Sequence, residues 1–352
     1  MPTRKSLNIA AALAATFALL TACTSDSTSA TSSAPATTSA AAVAADATDA
    51  SAADPSATRV FTADNGDITI PVNPQRVVAT GYAVPALIEA DAALVGISTW
   101  PRGLALMTDE DLATYEGLTQ IGGALAVETN YEAIASVQPD LIIIGVPRPV
   151  VAEIDVQRLE AVAPVVAIGP SLPDAWRELS RKQADAAGRL ANFDAGKAAY
   201  QAQADALKAK YAGALAGLQF GHVGAYGEIA SGNFQREYAG SWGTNIAQDV
   251  GVAYYGEVAE KTGGSGDVSE YPSIEQLPQS FAEADAITYS VKPDGTPSEE
   301  VQLVLDSGLW KSLPAVQAGL VFPIAYTEAA TYPSAMKTLA AIDQSLAPLL
   351  NR

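Results

Sequence analysis

Short, unbroken runs of branched apolar residues recur along the chain at 76–79, 94–97, 141–144 and 165–168, and again at 220–225, 286–289 and 320–324. Each is too short for a core helix and lacks the alternation of a half-exposed strand, so each reads as a strand buried on both faces. Between them, 83–90, 131–136 and 151–162 in the first series fit helices, as do 245–250, 298–306 and 334–346 in the second. Strands alternating with helices predict parallel βα units. The two series share a phrase: "NYEAIASVQPDLIII" from Asn130 and "SIEQLPQSFAEADAITY" from Ser273 each place a capping residue, a glutamate two positions on, a short helix, and an aspartate opening a strand.

The stretch 192–216 between the two series is rich in alanine, glutamine and lysine, and Tyr200, Ala204, Leu207, Tyr211 and Leu215 recur on one side at helical spacing. At about 1.5 Å per residue this helix reaches roughly 35 Å, enough to run along two lobes. The predicted fold is therefore α/β: two Rossmann-like lobes, 59–191 and 217–352, with central mostly parallel sheets, joined by one long helix and facing each other across a ligand cleft.

The N-terminus follows another pattern. Arg4 and Lys5 precede an apolar stretch over 7–22 that is too short to span a bilayer comfortably, as expected of a signal peptide over 1–22. It closes Leu20-Thr21-Ala22-Cys23, which resembles the lipobox of bacterial lipoproteins, in which the cysteine thiol receives the lipid. Cys23 is the only cysteine of the 352 residues, so no intramolecular disulfide can form. From there to residue 58 the chain is alanine, serine and threonine with scattered aspartates. It lacks the bulk needed to offset chain entropy and is expected to be a disordered tether.

Composition narrows the chemistry. With 39 acidic against 20 basic residues and a net charge of -19, a nucleic-acid surface is excluded. The single histidine, His222, lies inside an expected buried strand, a poor place for a zinc ligand or a hydrolase base. No GxSxG, HExxH or phosphate-binding loop appears, and the chain is not expected to be an enzyme.

The phrases "NPQRVVAT", "ALVGIS", "YEAIASVQPDLIII", "EAVAPVV" and "GLWKSLPAVQAGLVFPI", with the linking helix and the lipobox, resemble the helical-backbone (class III) substrate-binding lipoproteins of ABC importers. The resemblance runs from Arg59 to the C-terminus. Members of that family carry ferric siderophores, haem or corrinoids, and a glutamate on each lobe docks on the permease; Glu132 in "NYEAI" and Glu275 in "SIEQL" occupy the matching places. Each also has a local reason, since a carboxylate is favoured in the first turn of a helix.

Ligands of open α/β sheets bind beyond the carboxyl ends of the strands, so the loops there hold the candidates. These are Tyr82, Trp100, Arg102 and Arg148 in the first lobe, and Tyr226, Arg236, Tyr238, Trp242, Tyr289, Tyr326 and Tyr332 in the second. Three loop arginines on an acidic chain offer forked donors to anionic oxygens, and the aromatic rings can lie against a flat or apolar ligand. Alternatively the arginines pair with neighbouring carboxylates and the tyrosines are half-buried structure.

A ferric siderophore carries its own iron ligands, so neither cofactor nor protein metal site is expected. Direct binding of bare iron by tyrosinates and carboxylates is a competing arrangement. The resemblance thus implies a monomeric, lipid-anchored extracytoplasmic receptor that delivers a ferric siderophore to an ABC permease dimer. Haem or corrinoid as cargo, and a surface adhesin without transport, are the alternatives.

Overall fold

The computed structural model describes residues 56–227 and 229–352. The expected signal peptide, Cys23 and all but the last few residues of the tether lie outside the described residues. Among the described residues no helix is long and apolar enough to cross a membrane.

The described chain opens with a hairpin that the sequence reading did not anticipate, β1 (Thr58–Ala63) and β2 (Gly66–Pro71), paired antiparallel. Its tip covers a sheet edge. Asn65 donates from Nδ2 to the Val165 carbonyl (3.0 Å) and accepts from the Ala167 amide (2.9 Å), meeting backbone groups that an edge strand would otherwise expose.

The first lobe follows with β3 (Val77–Gly81), β4 (Leu94–Ser98), β5 (Gln120–Gly122), β6 (Leu141–Gly145) and β7 (Val165–Ala167) in one parallel sheet of order β5-β4-β3-β6-β7. Central strand β6, "LIIIG", is buried throughout, and each such branched side chain contributes about 1.5–3 kcal/mol on leaving water. The single helix expected over 151–162 is two short ones, Arg148–Val151 and Val156–Glu160. Asp155 lies between them, and its carboxylate accepts from the Arg158 amide (3.2 Å), capping the second helix where the expected one would have run through.

The second lobe holds β8 (Phe220–Gly224), β9 (Gln235–Glu237), β10 (Ser269–Glu270), β11 (Ala286–Val291) and β12 (Val321–Ala325), in the order β10-β9-β8-β11-β12. Strands β8, β11 and β12 are parallel, while β9 and β10 extend the sheet antiparallel.

Between the lobes runs the helix Leu190–Leu215, 26 residues or about 39 Å long. Its buried residues are Tyr200, Ala204, Leu207, Tyr211 and Leu215, the stripe read from the sequence. Tyr211 donates to the Asp343 carbonyl (2.7 Å) and Lys210 pairs with the Asp343 carboxylate (2.5 Å), tying the helix to the C-terminal helix Tyr332–Leu346.

The apolar interior has three parts. One cluster lies wholly in the first lobe around Ile134, Ile142 and Leu159, and another wholly in the second around Val223, Phe281 and Trp310. The largest is shared: Tyr82, Trp100 and Leu106 join Phe220, Trp242 and Leu339 through the linking helix in one continuous core.

Candidate functional site

The strand ends set the site. Strand β3 closes at Gly81, whose φ of 58° belongs to the left-handed region that glycine enters freely, and where a Cβ would come 2.7 Å from the Gly145 carbonyl oxygen. This close turn lets the Tyr82 amide donate to that oxygen (2.9 Å) and starts the helix Ala83–Glu89 with the phenol at the cleft. Strand β4 leads through Trp100 into a turn of 3-10 helix, Pro101–Leu106, which carries Arg102. Opposite, the Tyr226 amide donates to Gln235 Oε1 (2.7 Å) just after β8. Trp242 lies in a tight loop held by Thr244 Oγ1 donating to the Tyr238 carbonyl (2.6 Å) and Asn245 Nδ2 donating to the Ser241 carbonyl (2.7 Å). Tyr326, beyond β12, has a φ of 62°, a strained value for a bulky side chain of the kind found at binding sites.

These residues meet around Arg102. Its Nη1 donates to the hydroxyls of Tyr82 (2.8 Å) and Tyr226 (3.3 Å), and its Nε lies 3.4 Å from Glu328 Oε2. The guanidinium carbon lies 5.0 to 5.5 Å from the ring centroids of Tyr82, Trp100, Tyr226 and Trp242, two rings from each lobe. Tyr82 stacks on Trp242 across the gap, with centroids 6.0 Å apart and planes 7° apart. Arg102 Nη2 is nevertheless buried without a hydrogen-bond partner.

Two cavities open on either side of this cluster and share Tyr226 and Trp242 as a common wall. The larger, about 730 Å³, is lined by Tyr82, Arg148 and Lys182 together with Asp64 and Glu178. The smaller, about 300 Å³, is lined by Arg102, Tyr326, Lys292, Glu328 and Glu237. Both therefore pair basic with acidic side chains.

Glu237 is buried, at 1% exposed, as is His222 beside it. Its Oε2 accepts from the Gly243 amide (2.7 Å) and lies 3.4 Å from His222 Nε2, whereas its Oε1 has no hydrogen-bond partner. A Cβ on Gly243 would collide with both groups, so only glycine allows the loop this close. Burial pushes the Glu237 carboxyl up to about 7, against the opposing pull of the Gly243 amide and the nearby Ser241 hydroxyl. Burial, helped by the Arg236 charge, lowers His222 to about 3, so its imidazole is neutral. The two ring nitrogens of His222 contact Thr288 Oγ1 (2.7 Å) and Ser290 Oγ (3.1 Å).

Of the residues expected at the cleft, Tyr82, Arg102, Arg148, Tyr226, Trp242 and Tyr326 line one cavity or both. Trp100 lines neither of these two and backs the cluster, edge-on to Tyr82 at 4.8 Å. Four others lie elsewhere. Arg236, expected on a loop, is the middle residue of β9 and 0% exposed. Its guanidinium is enclosed by the rings of Tyr238, Tyr255 and Phe281 and donates to the Glu237 carbonyl (2.8 Å). Tyr238 bonds Glu270 Oε1 (2.5 Å), and Tyr289 lies in β11 edge-on to Trp310. Tyr332 begins the last helix and packs on Trp176 and Tyr200 in the shared core.

Burial raises the hydroxyls of Tyr82, Tyr238 and Tyr289, away from the tyrosinate form that an iron ligand requires. Among the described residues no group of three or more His, Cys, Asp or Glu side chains is placed to hold a metal.

Glu237 and Glu328 escaped the sequence reading. Glu328 stands in the loop "AYTEAATYPS" between the candidates Tyr326 and Tyr332, where a carboxylate reads only as a partner for arginine. Glu237 follows Arg236 on a strand that was not recognised, and the pleat sends the two side chains to opposite faces. Glu132 and Glu275 are both exposed, near the starts of the helix Tyr131–Ser136 and the 3-10 turn Ile274–Gln276. The Asn130 side chain caps the first, accepting from the Ala133 amide (3.0 Å), and Ser273 hydrogen-bonds the Glu275 carboxylate and lowers its pKa.

The sequence profile of the family described as periplasmic binding protein matches residues 77–325. Among solved structures, the chain resembles the siderophore periplasmic binding protein from the fuscachelin gene cluster of Thermobifida fusca, with 27% identity over 79% of this chain and 97% of that one and a TM-score of 0.62. It also resembles a periplasmic solute binding protein of Mycobacterium smegmatis (19% identity, 83% and 99% covered, TM-score 0.63) and Staphylococcus aureus SirA, solved with staphyloferrin B (20%, 84% and 99%, TM-score 0.60). No curated protein sequence matches the chain.

Proposed function

The chain belongs to the periplasmic binding protein family, and from that premise we propose that it is a lipid-anchored receptor that captures a ferric siderophore between its lobes and presents it to an ABC permease. A substrate-binding role outside the cytoplasm comes with the family; the cargo, the anchor and the docking residues are this proposal. The observation that carries it is the Arg102 cluster, where Tyr82 and Trp100 from one lobe meet Tyr226 and Trp242 from the other around a guanidinium with an unpartnered donor. Such a surface offers hydrogen bonds and π faces to a preformed metal complex and needs no iron ligand from the protein. The similar Thermobifida fusca protein, a siderophore periplasmic binding protein, supports this cargo.

Cys23, closing Leu20-Thr21-Ala22-Cys23, is the proposed lipid acceptor, and Glu132 and Glu275 the permease contacts. The test is a titration that follows quenching of Trp100 and Trp242 fluorescence by ferric catecholates, ferric hydroxamates, ferric citrate, haem and a corrinoid. Saturation by a ferric siderophore supports the reading. Saturation only by haem or corrinoid replaces the cargo, and no binding at all removes the receptor reading in favour of an adhesin.

A further inference from the structure

We propose that the smaller cavity receives a protonated amine carried on an arm of the ligand, with the Glu237 carboxylate as its counter-ion and the Tyr226, Trp242 and Tyr326 rings as its walls. This deepens the receptor reading and rests on it.

Three polar atoms on residues lining this cavity are buried without hydrogen-bond partners: Nη2 of Arg102, Nε1 of Trp242 and Oε1 of Glu237. Unpartnered buried groups are costly, and a cluster of them at a cavity marks where a ligand completes the bonding. The first two are donors and suit the oxygen atoms of an iron chelate. Ionised, as it is above about pH 7, the Glu237 carboxylate is an acceptor at Oε1, and chelate oxygens would repel it.

The Ser241 hydroxyl, itself without another partner, stands near enough to lower the Glu237 pKa but carries no charge, and among the described residues no cation pairs with the carboxylate. His222, on β8, is neutral, with both ring nitrogens engaged by hydroxyls. Arg102 is offset by Glu328 in the loop after β12, and Lys292 is exposed. Arg236, next along the strand, keeps its guanidinium among three other rings. Arg236 attracts the Glu237 charge without donating to its carboxylate, Glu328 repels it, and the hydroxyls of Tyr254 and Tyr271, which feel the Glu237 charge, are not cationic. An ammonium group meets both needs of the cavity, donating to Oε1 and lying against aromatic faces that attract cations. The larger cavity points the same way, since Asp64 and Glu178 accompany Arg148 and Lys182. The cleft therefore fits a bipolar complex of low net charge, such as a trihydroxamate with an amine tail, better than a triply anionic tris-catecholate.

The test uses the purified full-length protein and three probes: ferrioxamine B, a linear ferric trihydroxamate ending in a free primary amine; its N-acetylated form; and ferric enterobactin, a tris-catecholate. Wild type should bind the free amine about tenfold more tightly than the acetylated form, with the catecholate weaker than both, and Glu237→Gln should abolish the amine preference. The wild type alone supplies a second measurement: lowering the pH from about 8 to about 5.5 protonates the carboxyl and should erase the preference without any mutation. Equal affinity for the two trihydroxamates in wild type, a preference that survives both Glu237→Gln and acid pH, or tighter binding of the catecholate overturns the inference and leaves the receptor reading standing. If none of the three complexes binds, the receptor reading falls, and the inference with it.

Discussion

Replacing Glu237 by glutamine should remove one falling component from the pH profile of stability. The native carboxyl titrates near 7 rather than at the ordinary 4.5, so between those values the folded state holds a proton that the unfolded state has lost, and stability falls as pH rises. His222 titrates near 3 rather than 6.5, so between those values the unfolded state holds the extra proton, and stability rises with pH. Each contributes about 1.4 kcal/mol per pH unit with opposite sign. From about pH 4.5 to about 6.5 the two cancel, leaving the wild type level as far as this pair is concerned. Glutamine cannot titrate but keeps an oxygen to accept from the Gly243 amide, so over this interval the variant should rise by about 3 kcal/mol relative to the wild type, while His222 and the buried Glu89, raised to about 8, act alike in both proteins. Urea unfolding of both proteins at several pH values across it measures the difference, in which all other titrating groups cancel. Parallel profiles would show that burial does not hold the Glu237 carboxyl near 7, and that account of the site would be abandoned.

Three further outcomes follow from the packing. Arg236→Met should lower stability by about 1–3 kcal/mol, because the carbonyls that the guanidinium serves lose their donors, while affinity for a ferric complex stays unchanged; lost affinity in a fully stable variant would return Arg236 to the cleft. Glu132→Ala together with Glu275→Ala should abolish iron uptake by whole cells and leave the binding titration untouched, and normal uptake would remove both from the permease contact. Tyr211→Phe deletes the two bonds from the Tyr211 hydroxyl to Asp343, leaving the Lys210 pair in place, and should lower the urea midpoint by the equivalent of about 1–2 kcal/mol, whereas an unchanged midpoint would mean that the hydroxyl is as well served by water.

The centre of each sheet was legible because strands buried on both faces must be continuously apolar, and "LIIIG" admits no other reading. The linking helix was legible down to its five buried residues for the same reason: one periodicity, uninterrupted. The hairpin β1–β2 was lost because its strands are half exposed and short, although "ADNGD" carries a turn signal at Asn65-Gly66. The site was partly legible. Tyr82, Arg102, Tyr226 and Trp242 follow strand ends, which a strand-end rule finds. Arg236 was misplaced because β9 runs antiparallel and only three residues long, too brief to show a pattern, and its recognition would have sent Arg236 inward and brought Glu237 to the cleft. Pairing of Arg102 with Glu328 joins residues far apart in sequence, and no local spacing announces it.

The continuous core through Tyr82, Leu106, Trp242 and Leu339 has a consequence for traffic at the membrane. Lobes that share an interior cannot separate without exposing it, so the spacing between Glu132 and Glu275 should differ little between the empty and the loaded receptor. A permease that grips these two points would then engage vacant and filled receptors alike. Vacant receptor would compete with filled receptor for the same seat, and uptake would slow as unloaded protein accumulates. Discrimination would have to come from the mouth of the cleft, where a bound complex alters the surface between the two contacts.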